Sequence, residues 1–111
     1  MSLVSKTQIL RDALKNVEGL KCYHIRKPAS VKAPYCVCQE ETEGQSHYSD
    51  NIKSEQVVEL TVDYFTKTEY DSMIDSIQNA MNAAQISWQL ESFQYEDETK
   101  LLHYEWLVKV I

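Results

Sequence analysis

Residues 57–65 read Val57-Val58-Glu59-Leu60-Thr61-Val62-Asp63-Tyr64-Phe65, and Thr66-Lys67-Thr68-Glu69 follow at once. Val58, Leu60, Val62 and Tyr64 alternate with Glu59, Thr61, Asp63 and Phe65. This period of two predicts a strand over Glu55 to Phe65 with one buried face and one mixed face. The next four residues offer a capping box, Thr66 as cap and Glu69 as its partner, so a helix is expected from there to about Ala84. Its apolar stripe is Tyr70, Met73, Ile74, Ile77, Met81 and Ala84, with Asp71, Asp75 and Asn79 toward solvent. A strand running straight into a capped helix makes this a mixed chain.

Working outward, Ser5 to Val17 has a second helical stripe, Ile9, Leu10, Ala13, Leu14 and Val17, with Ser5 and Gln8 as capping pair and Gly19 as stop. Leu20 to Ile25 is a short strand. Residues 26–34 form a loop marked by Pro28 and Pro34, which do not fit a central strand. With Lys21 this segment carries four of the eleven positive charges. Tyr35 to Glu40 is the next strand, and Glu41 to Lys53 is a long polar loop. Ile86 to Tyr95 is a strand with Trp88 and Leu90 on one face. Phe93 and Tyr95 have the opposite parity, which implies a bulge near Glu91-Ser92. Glu96 to Lys100 is a turn, and Leu101 to Ile111 is the last strand, closing an antiparallel hairpin. The order α-β-β-β-α-β-β defines an α+β class: a mostly antiparallel sheet with two helices packed on one face. Leu10, Leu14, Val58, Leu60, Val62, Ile74, Ile77 and Met81 are the expected core.

The chain has 111 residues, the size of one domain spanning 1–111, and no apolar run long enough to span a membrane. Its start lacks the basic-then-apolar shape of a signal peptide. Eleven basic and seventeen acidic residues give a net charge of −6, which disfavours tight nucleic-acid binding. Acid concentrates at Glu40, Glu41, Glu43 and Asp50 in one expected loop, and at Glu96, Asp97 and Glu98 in another. Solvated loop charge is the plain reading; a surface that must not trap DNA, or that docks a basic partner, is the functional one.

Three cysteines, Cys22, Cys36 and Cys38, fit reduced thiols. Cys36 and Cys38 share one strand face. With Cys22 and His24 they are the best available metal set, but the spacing lacks the paired motifs of such sites, and burial is the commoner fate of free cysteine. Isolated Gly19 and Gly44 exclude a phosphate-binding loop. Ser46, His47 and Asp50 share a single loop, whereas triad members come from separate rigid elements. His103 has the parity of Glu105 and is expected to face solvent or a partner. Trp88, Tyr95, Tyr104 and Trp106 share the final hairpin as cross-strand packing or as partner anchors. These residues give no catalytic site and no cofactor requirement.

Several stretches taken together carry a resemblance: Lys32-Ala33-Pro34-Tyr35 before a strand, Tyr48-Ser49-Asp50-Asn51 in the long loop, Val62-Asp63-Tyr64-Phe65-Thr66-Lys67 before a helix, and His103-Tyr104-Glu105-Trp106 in the last strand. The chain resembles prophage head–tail joining and tail-completion proteins, in architecture the tail terminator proteins of long-tailed phages. The resemblance implies an α+β fold, a non-enzymatic structural role and a homo-oligomeric ring, commonly hexameric. Its partners would be the tail tube and the head connector, in the virion neck or tail and in the host cytoplasm during assembly. Tyr48, Asp50 and Asn51 become a candidate assembly loop, and the acidic loops become candidates for the ring lumen. A head–tail stopper or adaptor is the alternative within the class. A small cytosolic binding module with metal at the cysteines is the alternative outside it.

Overall fold

The alternation at residues 58–66 builds the central strand of a five-stranded sheet in the order β1-β2-β3-β5-β4. A computed structural model describes residues 3–43 and 57–111. The elements are α1 (Leu3–Lys15), β1 (Cys22–His24), β2 (Tyr35–Glu43), β3 (Val58–Thr66), α2 (Met73–Ala83), β4 (Ser87–Glu96) and β5 (Leu101–Val110). β1 runs parallel to β2, and every other pairing is antiparallel. The fold is therefore α+β in the expected order, with both helices on one face of the sheet.

That face holds the core. Val58, Leu60, Val62 and Tyr64 of β3 meet Trp106, Val108 and Val110 of β5 and Cys36 and Cys38 of β2, all buried. α1 covers them with Leu10 and Leu14, and α2 with Ile77 and Met81. Each such side chain contributes about 1.5–3 kcal/mol by leaving water. Two indole N–H groups tie the sheet to α2: Trp106 Nε1 donates to Gln78 Oε1 at 3.0 Å, and Trp88 Nε1 to Asn82 Oδ1 at 2.8 Å. Ile74 is only partly buried at the margin of this core.

Several expected boundaries shift. α1 starts at Leu3, so Ser5 lies inside the first turn and does not cap it, and Val17 lies in the following turn. Gly19 closes that turn at φ +82°, a conformation glycine adopts without strain. β1 is shorter than expected because Ile25, at φ +75°, turns the chain out of the strand. β2 is longer, continuing past a bulge at Glu41 to Glu43. Thr66 and Glu69 do not cap α2. Thr66 is the buried last residue of β3, and the helix begins only at Met73. Tyr70 leaves the expected stripe and stands 90% exposed at φ +57°. The bulge expected near Glu91-Ser92 is present, with the register shifting between Leu90 and Ser92. It returns Phe93 and Tyr95 to the face of Trp88 and Leu90, opposite Tyr104 and Leu102.

Candidate functional site: the uncovered sheet face

Among the described residues, the second face of the sheet carries no helix. Strand parity places Tyr35, Val37 and Gln39 of β2 there, Glu59, Thr61, Asp63 and Phe65 of β3, and His103, Glu105, Leu107 and Lys109 of β5. At one end of this face runs a continuous row across the strands. Lys27 Nζ lies 5.4 Å from the centroid of the Tyr35 ring, a cation over an aromatic face. Tyr35 stacks on Phe65 at 4.9 Å, and Phe65 on His103 at 4.2 Å. The imidazole Nε2 of His103 pairs with Asp63 Oδ1 at 2.7 Å. Its Nδ1 lies 3.2 Å from Glu96 Oε2, within ion-pair reach but not aligned for a hydrogen bond. His103 does face the side of Glu105, yet it is largely enclosed, with 14% of its side chain exposed. Burial pushes the Asp63 carboxyl above its usual range, although His103 works against that shift. Burial also raises Tyr35, helped by the nearby Glu96.

Beside this row lies a depression of about 260 Å³ lined by Glu41, Glu59, Thr61, Glu91, Glu105 and Leu107. Four strands each supply one glutamate. Two of the four, Glu41 and Glu91, are the extra residues of the two bulges, which aim side chains that regular pairing would place elsewhere. Lys109 reaches Glu59 at 3.8 Å. Like charges within a Debye length of one another in this way set a negative potential over the whole face.

The acidic residues singled out by sequence therefore separate. Glu41 and Glu96 belong to the uncovered face, and Glu96 ends β4 where a turn was expected. Asp97 and Glu98 lie exposed in the β4–β5 turn. Glu40 points to the helix-side face, where its carboxylate pairs with His24 Nε2. Burial acts to raise the Glu40 carboxyl, but the bond from His24 and backbone donation outweigh it and leave it lowered. Glu43 ends β2, and Tyr48, Asp50 and Asn51 lie outside the described residues. Glu59, Asp63, Glu91 and Glu105 were missed because charge was weighed only in loops; the alternation on either side of Leu60 already put Glu59 and Asp63 together.

The cysteines sit in adjacent strands, Cys22 opposite Cys36 and His24 opposite Cys38. All three thiols are free, and Cys22 lies within hydrogen-bond contact of Cys36 and Cys38. Contact with Cys36 and burial push the Cys22 thiol up to about 12, and contact with Cys22 and burial raise Cys38 as well. With His24 engaged by Glu40, the four do not form a ligand set, and among the described residues no three His, Cys, Asp or Glu are placed to hold one metal ion. No helix among the described residues is long and apolar enough to cross a membrane.

The chain matches no protein-family model and no curated protein sequence.

Proposed function

We propose that this chain is a structural, non-enzymatic subunit of a phage or prophage assembly, in the class of tail-terminator or head–tail joining rings. One observation carries the reading furthest. Three of the four stretches that bear the resemblance, at Tyr35, Val62–Lys67 and His103–Trp106, are far apart in sequence but adjacent in register: Tyr35 pairs with Phe65, and Phe65 with His103. They form one stacked row on a face that no element of the described chain covers. Such a row, flanked by Asp63, Glu96 and four further glutamates, suits contact with a large partner or with passing DNA. Phosphate facing Glu41, Glu59, Glu91 and Glu105 is repelled and slides without trapping, so the uncovered face is the one assigned to the lumen.

Imaging of purified protein by negative stain tests this. Rings of uniform diameter with an open centre are expected. A population of uniform single subunits at high concentration would contradict the reading, as would tight, salt-sensitive binding of duplex DNA by the wild-type chain.

A further inference from the structure

Resting on the ring reading above, we infer that copies associate head to tail, the β4 edge of one copy seated on the β1 edge and the β1–β2 loop of the next. The strand order puts β4 and β1 at opposite ends of the sheet. The β4 end is a ten-residue strand whose outer edge pairs with nothing among the described residues. Long exposed edges of this kind are templates for pairing with another chain. This one also carries a row of exposed apolar side chains on a single face: Leu90 43%, Phe93 54% and Tyr95 55% exposed. Phe93 packs against Tyr104 with the rings tilted and their centroids 4.5 Å apart, so the row is held in place before any partner arrives.

The charges at the two ends are complementary. Around β4 lie Glu91, Glu96, Asp97 and Glu98. Around β1 and its loop lie Lys21, Arg26, Lys27 and Lys32, and Lys21 Nζ donates to the Lys32 carbonyl at 3.1 Å, holding that loop together. Ile25, 57% exposed at the end of β1, supplies an apolar contact within the basic patch. An acidic, apolar edge meeting a basic edge with its own apolar residue fits a second copy of this chain. Two β4 edges meeting each other would bring like charges together. Because the surfaces differ, the contact is heterologous, which repeats around a ring when the rotation closes. An edge-to-edge ring also turns one whole sheet face toward the axis, and the acidic uncovered face is available for it.

The test uses two principal variants of the full chain and a third as a control, each first checked for native circular dichroism and cooperative melting. One is Phe93→Glu/Tyr95→Glu, which removes the β4 surface. The other is Arg26→Glu/Lys27→Glu, which removes the β1 surface. Asp97→Lys/Glu98→Lys is a second β4 variant that leaves the aromatic side chains intact. In sedimentation velocity, wild type is expected to assemble and each variant alone to remain at the 12.9 kDa subunit mass. An equimolar mixture of Phe93→Glu/Tyr95→Glu with Arg26→Glu/Lys27→Glu should give a 1:1 pair that grows no further, because each member keeps one working edge. Rings that survive in both variants would overturn the edge assignment and leave the ring reading standing. So would self-pairing of the β1 variant, which would mean β4-to-β4 contact. Open filaments abolished by both variants would keep the edge assignment and overturn the ring. A wild-type chain that stays monomeric throughout would overturn both.

Discussion

Asp71 shows how much a single exposed-looking residue does in this fold. It follows the 90% exposed Tyr70, and the helical pattern assigned it to solvent. Its carboxylate instead accepts from Tyr64 Oη at 2.7 Å, from Thr66 Oγ1 at 2.7 Å and from the Met73 amide at 2.9 Å. It thereby joins the end of β3 to the start of α2 and satisfies a helix N-terminal N–H, the task expected of Thr66. Burial acts to raise this carboxyl, but the donors together hold it below the usual aspartate range. Asp71→Ala is therefore expected to cost about 1–3 kcal/mol in urea unfolding, since it strands a buried tyrosine hydroxyl. The lowered value fixes the pH sign. The charged form is favoured by folding, so this stability is full above the ordinary aspartate pKa and is lost as pH falls through the lower folded value. The gap between wild type and Asp71→Asn, measured by urea midpoint, should be full at about pH 6 and should close below about pH 4. A gap that stays constant across that range would mean the carboxylate charge is not what Asp71 contributes.

At the scale of elements, the buried face of β3 dominates stability, and the exposed Tyr70 in the segment after it contributes little. Leu60 is fully buried in the core cluster on the helix-side face of the sheet, paired with Val108 of β5. Leu60→Ala is expected to cost ~2–4 kcal/mol, read from chemical denaturation. Tyr70→Ala should change stability by less than about 0.5 kcal/mol, because the ring touches no core. The contrast is also where the sequence was legible and where it was not. Alternation in β3, β5 and β4 is a property of neighbours in the chain, and it located the core face and even the bulge at Glu91, since Phe93 broke parity with Leu90. The start of α2 depends on Asp71 meeting Tyr64 and Thr66, a contact between elements that spacing does not encode. Likewise the lengths of β1 and β2 follow from their pairing, which extends β2 through the Glu41 bulge to Glu43. The acidic face was only half legible. Its loop members were visible as runs of charge and Glu59 and Asp63 share a face by alternation, whereas Glu105 joins them only when β3 and β5 pair.

For the whole molecule, the governing fact is asymmetry. One sheet face is filled by helices and the other is uncovered and acidic; one edge is acidic with exposed aromatic residues and the other is basic. A net charge of −6 distributed in this way predicts an assembly weakened by salt, because the edge contact draws on opposite charges near water. It also predicts weak DNA binding. In a fluorescence-anisotropy titration at physiological salt, wild-type protein should not bind a duplex appreciably, and Glu59→Lys/Glu105→Lys should bind more tightly and with a steeper salt dependence. An unchanged affinity in that variant would remove the uncovered face from the lumen. The most direct test of the account is the mass of the wild-type chain in solution across a concentration series, by sedimentation equilibrium at low and high salt. A closed oligomer is expected, an integer multiple of 12.9 kDa that stops growing as concentration rises and dissociates as salt is added. A single-subunit mass at every concentration would contradict it, as would a mass that rises without limit.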